Sequence, residues 1–583
     1  MGLKRVSRRG AVLLVVLLVA SACGQASPSA SPTASGTAAY RLATPGKLTI
    51  GYTPIAGISD IVDGKPTGLG LLMSTEIAKR LGLEPVYASY DFAAVFPALQ
   101  SHRIDFIGEQ IAGTQPRAQV LYINTPATLW GPETLIVRPG TTIASWEDAA
   151  ARKLTLASVK GYFQITAWEA LGITVHAFDN NDACMTDVLN KGADACGIGS
   201  FDLVYRKATK PDDPISGLEQ VVVVGPQIVT EGSIFATARD NAALARDIDQ
   251  ILIDMWRDGS VETAYKGVFG TADYGAFLQA PPGSNYYILG PWEEGVRPPA
   301  KETFAKVDTI ASGTLTVGVL ADGPLLTLTG ETLSGPEAKI LEYAANNLGL
   351  KLKGVRVTDE AAAVRGGQVD VVAGQLATTP DRTKQYWMSQ PIGFNPDYIY
   401  VKPEAGGSFP AFASWEDVTK AGGKLSVVNG SPRIADLQAA GANILMFDTP
   451  AAALKAVVDG QALGFVGSSL EYAVAASADP SISQAGIGYV RNGNIYSHGD
   501  AFAWGVKAGN GKLLDALDQS NTLAWQKKVI GDAYGQAWPG ADVNAVAAPG
   551  PALVGTGFGT TKDFIMRSMW VSGAWLQRPG YVQ

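Results

Sequence analysis

The sequence predicts an α/β protein in which one folding unit is present twice. Three observations lead there. The run Ala144-Ser145-Trp146-Glu147-Asp148 recurs 269 positions later as Ala413-Ser414-Trp415-Glu416-Asp417. Other landmarks repeat at nearly the same offset: Leu48-Thr49-Ile50-Gly51 with Leu315-Thr316-Val317-Gly318 at 267, Asp105 and Arg117 with Asp370 and Arg382 at 265, Gly199-Ser200 with Gly467-Ser468 at 268. Within each copy, short β-rich runs alternate with amphipathic stretches of helical period. That alternation predicts a parallel sheet covered on both faces.

Taken in order, residues 1–23 read as an export leader. Lys4, Arg5, Arg8 and Arg9 precede the apolar run Ala11 to Ala22, which is too short to span a bilayer. Val19-Ala20-Ser21-Ala22-Cys23 resembles a bacterial lipobox, and the resemblance implies lipidation of Cys23 at the outer face of a membrane. Residues 24–46, rich in Ser, Ala, Pro and Thr, bury too little apolar surface to fold and predict a flexible tether. The first unit, 47–270, opens with the strand Lys47 to Tyr52. A helix ending at Gly82 follows, then the apolar strand Ile104 to Ile107, then the strand Leu154 to Val159 entering a glycine turn. The second unit, 313–535, repeats this series from Thr314, with Gly349 in the place of Gly82. A linker, 271–312, carries Tyr286-Tyr287 and Trp292 and predicts packing against a repeat rather than free disorder. The extension 536–583 carries Trp570 and Trp575 and predicts a docking surface.

The 583 residues exceed a single core, and the formal net charge of −8 without a basic stripe argues against nucleic acid as partner. Three scattered histidines show no metal-ligand spacing. No phosphate-binding glycine loop or nucleophile elbow occurs, so neither metal nor cofactor is expected. Cys184 and Cys196 lie in a segment whose export implies an oxidising compartment. A disulfide is open to them only if their Cα atoms approach within about 7 Å.

The ordered motifs resemble family 3 of the bacterial extracellular solute-binding proteins, the group that includes polar amino-acid receptors of ABC importers. They are a strand entering a glycine-started helix, then Asp370-(x)8-Thr379-x-x-Arg382 with its counterpart Asp105 to Arg117, then Gly192-Ala193-Asp194-Ala195 and Gly460-Gln461-Ala462-Leu463 before a late strand. The resemblance implies two tandem periplasmic-binding-protein-like (type II) units, each of two α/β lobes hinged by crossing strands. The crossings are expected near Leu135-Ile136-Val137 and Phe235-Ala236-Thr237, and near Ile399-Tyr400-Val401 and Phe502-Ala503-Trp504. It also implies a small polar solute held between the lobes, and an ABC permease as partner.

On this resemblance the carboxylate-gripping residues are Arg117 and Arg382, whose guanidinium forks suit a carboxylate. Their companions are Glu109, Gln110 and Thr114 in the first unit and Gln375 and Thr379 in the second. Tyr162 and Ser431, at the glycine turns of the second lobes, and Ser468 complete the expected set. Two departures stand out. Where family members carry an aspartate for the ligand ammonium, this chain has Gly199-Ser200 and Gly467-Ser468, so Glu109 is expected to supply the negative group in the first unit. The first loops also lack the stacking aromatic. The second unit should therefore not hold a standard amino acid tightly. Two other readings stay open: an envelope sensor or interaction protein, and a dehydratase-like enzyme with Glu109 as its acid or base.

Overall fold

The computed structural model describes residues 40–124, 127–129, 133–162, 164–221, 233–274, 277, 297–377, 382, 385–404, 407, 415–431, 433–490 and 499–547. Cys23, residues 24–39 of the expected tether, Phe163, Tyr286, Tyr287, Trp292, Thr379 and residues 548–583 lie outside these. Residues 40–46, expected to be part of the tether, instead pack on the first unit, with Tyr40 buried and its hydroxyl donating to Asp247.

In the first unit, beside a short hairpin of Asp60–Val62 and Lys65–Thr67, the strands of the lobes are β1 (Lys47–Tyr52), β2 (Glu84–Ser89), β3 (Phe106–Ala112), β4 (Leu121–Ile123), β5 (Glu133–Val137), β6 (Thr155–Val159), β7 (Thr174–Phe178), β8 (Ala195–Gly199), β9 (Glu219–Val221) and β10 (Ser233–Ala238). They form two five-stranded sheets, ordered β2-β1-β3-β10-β4 and β9-β5-β8-β6-β7. Each sheet has a parallel core, β2-β1-β3 in one and β8-β6-β7 in the other, with antiparallel strands added on one side. The chain passes to the second sheet between β4 and β5 and returns between β9 and β10, so each sheet is one lobe.

The second unit repeats the plan. Its first lobe orders strands Lys351–Arg356, Thr314–Val319, Val371–Ala373, Gly505–Val506 and Trp387–Met388. Here the crossing is visible directly. The strand Gly393–Val401 pairs through Gly393 to Pro396 with Gly499–Phe502, and through Asp397 to Val401 with Gly464–Ser468 of the second lobe. The crossing thus falls at the start of this strand, a few residues before the expected Ile399-Tyr400-Val401.

The repeated sequence landmarks do the same structural work in both units. Asp105 accepts backbone N–H groups from Ala43 at 2.6 Å and Thr49 at 2.8 Å. Asp370 accepts from Ile310 at 2.8 Å and Thr316 at 2.9 Å. Each aspartate pins the segment entering its unit to the edge of the central strand. Helix α1 (Leu69–Leu81) buries Leu71, Met73 and Ile77 and stops at Gly82, whose φ of 72° terminates it in the left-handed region; Gly349 adopts 65° at the same place. Four further helices build the site: α2 (Phe92–Gln100), α3 (Gln115–Val120), α4 (Asn181–Leu189) and α5 (Phe201–Thr209).

The linker contacts both units. Arg297 donates to Ile123 O at 2.7 Å and Lys301 pairs with Asp247 at 2.6 Å in the first. Gln526 of the second bonds Pro298 O and the Ala300 N–H, both at 2.9 Å.

Cys184 of α4 is bonded to Cys196 of β8, with Cα atoms 5.7 Å apart. Closing a loop of this size contributes on the order of 3 kcal/mol. Replacing both cysteines with serine should lower the melting temperature of the first unit by about 5–10 °C in scanning calorimetry. An unchanged transition would show that the bridge does not stabilise the fold.

Candidate functional site

The two lobes of the first unit face each other across a cavity of about 100 Å³. From the first lobe come the loop after β1 (Thr53, Ile55, Ile58), the start of α2 (Phe92), the end of β3 (Gln110, Ile111, Ala112) and Arg117. From the second come the end of β6 (Val159), Tyr162, the start of α4 (Asn181), and the end of β8 running into α5 (Ile198 to Asp202). The strand ends and helix starts of an open parallel sheet meet here, where such folds offer polar backbone groups to ligands. A wider mouth of about 640 Å³ adjoins the cavity, sharing Thr53 and Asn180.

Arg117 is aimed by three contacts. Thr114 caps α3, its hydroxyl accepting the Arg117 N–H at 3.4 Å. The guanidinium Nη1 donates to Ala112 O at 2.8 Å. Its carbon lies 4.9 Å and 5.5 Å from the ring centres of Phe96 and Phe92. Aromatic faces on a guanidinium fix its plane without neutralising it. Gln110 lines the cavity too, its Oε1 accepting from Thr128 Oγ1 at 2.9 Å. Tyr162 lines the second-lobe wall, its ring 6.1 Å from that of Trp168.

Glu109 departs from expectation. It is 0% exposed and is not part of the cavity wall. Alternation along β3 turns it to the opposite face from Gln110. Its carboxylate accepts the Thr53 N–H at 2.7 Å and the Thr53 hydroxyl at 3.3 Å, so it holds the ligand-side loop from behind. Burial pushes its pKa up to about 7, against the lowering effect of those two bonds and of Arg117. A carboxyl raised above its unfolded value of 4.5 binds protons preferentially in the folded state. Stability from this group is therefore full below pH 4.5 and lost as pH rises through about 7, a change on the order of 3 kcal/mol. Urea denaturation from pH 4.5 to 8 should show this decline in the parent chain and a flatter profile in Glu109→Gln; parallel profiles would refute it.

The negative group in the cavity is instead Asp202, which the sequence reading missed. The chain turns into α5 at Ser200, and the first helical turn carries Asp202 back to the wall. Its carboxylate accepts from Arg206 Nε at 2.6 Å and Asn181 Nδ2 at 3.1 Å. Arg206 is shared with Asp213 at 2.9 Å and with Asp182, so carboxylates outnumber the cation in this cluster. Burial raises the Asp202 pKa and Arg206 opposes it.

In the second unit the corresponding side chains are engaged differently. Arg382 donates to Ala377 O at 2.9 Å, as Arg117 does to Ala112 O, but its Nε also lies 3.5 Å from Glu360. Ser431 accepts from Arg433 Nη1 at 3.2 Å. Ser468 caps its helix in a reciprocal box with Glu471, its N–H donating to Glu471 Oε2 at 2.7 Å. Arg433, near the start of the second-lobe helix, pairs with the buried Asp397 and with Glu471 at 3.0 Å. Gln375 has a positive φ of 59°, and its N–H donates to Glu337 at 2.9 Å.

Glu337 exposes a reciprocal exchange between the units. In the first, Glu109 stands on the central strand opposite Gly70 of α1; a Cβ on Gly70 would lie 2.5 Å from Gly108 O. In the second, the strand position is Gly374 and the helix position is Glu337, buried and bonded to the N–H groups of Gly374 and Gln375 and to Trp504 Nε1. Each unit thus buries one carboxylate at this junction, from opposite sides, and keeps glycine across from it.

Two α/β lobes joined by crossing strands, present twice in the chain and enclosing an arginine-bearing cavity in the first unit, define a hinged solute-binding protein. The model of family 3 of the bacterial extracellular solute-binding proteins matches residues 50–271 and again 315–530, and the chain belongs to that family. Among its relatives is the L-cystine-binding protein TcyJ of Escherichia coli (strain K12), 24% identical over 233 residues, 39% of this chain and 83% of that protein. The probable amino-acid-binding protein YxeM of Bacillus subtilis (strain 168) is 22% identical over 206 residues, 34% and 75% of the two chains. A solved structure of an ancestral arginine-binding protein bound to glutamine is 24% identical and covers 39% of this chain and 99% of its own, with a TM-score of 0.35. Among the described residues, no helix is long and apolar enough to cross a membrane.

Proposed function

We propose that this protein is a lipid-anchored extracytoplasmic receptor. It captures an amino-acid-like, carboxylate-bearing solute between the lobes of its first unit and delivers it to an ABC permease. The observation that supports this best is the Arg117 guanidinium, held against two aromatic rings in the wall of an interlobe cavity that Asp202 also lines. A cation and an anion in one small cavity suit the two ends of a zwitterion. In this reading residues 47–270 and 313–535 are the two binding units and 271–312 the joint. Residues 1–23 are the leader, 24–39 the tether, shortened from 24–46 because 40–46 pack on the first unit, and 536–583 a docking extension. No catalysis is assigned: Glu109, the acid or base that the sequence offers, is turned onto Thr53, and Asp202 is held by Arg206.

Thermal unfolding against amino acids, amines and small organic acids tests the binding. A solute present at about 100 times its Kd stabilises the folded state by about 2.7 kcal/mol, a readily measured shift. The absence of any shift across the panel would sink the receptor reading. Cys23→Ala should release the protein from the membrane fraction; continued sedimentation with membranes would refute the anchor.

One observation favours the alternative of an envelope sensor: in the second unit Arg382, Arg433, Ser431 and Ser468 all engage neighbouring residues of the chain. A shift by a solute that no neighbouring permease transports would move weight to it.

A further inference from the structure

We infer that the solute of the first unit is an amino acid with an uncharged, apolar side chain, and that the Ser200 hydroxyl is its buried polar contact. This rests on the receptor reading above and narrows it.

Charge comes first. Among the described residues, Arg117 and Asp202 are the only charged groups lining the inner cavity. An α-carboxylate and an α-ammonium use both. A second cation or anion on the solute would enter a small, largely apolar space with no counter-charge, and a buried unpaired charge is strongly disfavoured.

Most of the rest of the wall is apolar, with the uncharged Thr53, Gln110, Asn180 and Asn181 among its polar members. Ile55 and Ile58 of the first loop, Ile111 of β3, Leu129, Ile198 of β8 and Phe201 of α5 surround the space from both lobes. Most of these are almost wholly buried, with Ile111 at 1% and Ile198 and Phe201 at 3% exposure. Phe201 is backed by Phe277 from the linker, ring centres 4.9 Å apart, so its position is fixed from behind. Such a lining gains from each methylene it covers and offers a charged side chain nothing.

A long cationic side chain has one other route, outward into the wider mouth, which is lined by Asp60, Asp91, Asp179 and Asp182, the last paired with Arg206. Asp91 and Asp179 are exposed there, and Asp179 is already paired with Lys160 at 2.7 Å. Charges in that position are hydrated with or without a solute, so they discriminate weakly.

Ser200 is the second observation. It is 4% exposed and lines the cavity, and its hydroxyl has no hydrogen-bond partner among the described residues. A buried hydroxyl left unpaired is unfavourable, and a polar group of the solute placed beside Asp202 relieves it.

The test is isothermal titration of the whole chain in detergent with L-leucine, L-isoleucine and L-methionine, and with L-lysine, L-arginine and L-glutamate. At least one of the first three should bind at least tenfold more tightly than all of the second three. Ser200→Ala should weaken that binding about tenfold while leaving the ligand-free melting temperature unchanged. If a charged amino acid binds as tightly or more tightly, and Arg117→Ala abolishes it, the side-chain inference is overturned while the receptor reading stands. If Ser200→Ala binds like the parent chain, its assigned contact is wrong. If none of the six binds, this inference is overturned, and the wider thermal panel decides the receptor reading.

Discussion

Arg117→Ala should weaken solute binding by at least about 100-fold. Hydrogen bonds to a charged group contribute about 1.5–3 kcal/mol, and leaving a carboxylate buried without its cation raises the loss to about 3–5 kcal/mol. Each 1.4 kcal/mol is a factor of ten in Kd, so two decades is the lower expectation. The competing effect is structural. The guanidinium also packs on Phe92 and Phe96 and bonds Ala112 O, and removing it loosens the start of α3. The ligand-free melting temperature separates the two, since these part-buried contacts account for a few degrees at most. Arg117→Lys keeps the charge but loses the planar fork, and should recover only part of the affinity. Isothermal titration with parent-like affinity in Arg117→Ala would refute the role assigned to this residue.

Arg433→Ala should be the most damaging change in the second unit. Arg433, its side chain 11% exposed, lies between the buried Asp397 and Glu471, the latter 3.0 Å away. Removing the cation leaves two carboxylates facing each other with little water, a loss of about 3–5 kcal/mol. For a unit of about 200 residues this lowers the melting temperature by about 10 °C. Scanning calorimetry of the variant beside the parent chain measures it; coincident traces would mean that the cluster contributes nothing. Solute binding by the first unit should be unaffected, because none of these residues reaches its cavity.

Much of this was legible in the chain because it depends on local spacing. The offset between copies, the strand–helix alternation, the terminating glycines Gly82 and Gly349 and the cap at Thr114 all follow from neighbouring residues. The register of Arg117 in the cavity wall is of the same kind. What was not legible depends on which way a residue faces or on partners far along the chain. Glu109 and Gln110 are adjacent, yet one serves the loop behind the cavity and the other the cavity itself, as strand alternation dictates once the register is known. Asp202 was overlooked because the expected aspartate position reads Gly199-Ser200; the helical turn after Ser200 returns an acid to the same wall two residues later. Arg433 gave no signal, since Asp397 lies 36 positions away and pairs only through the tertiary fold.

The exchange between Gly70 with Glu109 and Glu337 with Gly374 bears on how the halves relate as lineages. Neither partner of the exchange can be borrowed across copies alone. A chimaera joining the helix of the second unit to the strand of the first would face two carboxylates in one dry junction, where both cannot ionise. The opposite chimaera would have no carboxylate, and the loop N–H groups that one now receives would go unmet. Two changes made together are needed to cross from one arrangement to the other. Segments of the two copies are therefore poor substitutes for one another, and sequence transfer between them is penalised at this junction. Each half is left free to diverge in what its cleft accepts while both remain on one chain.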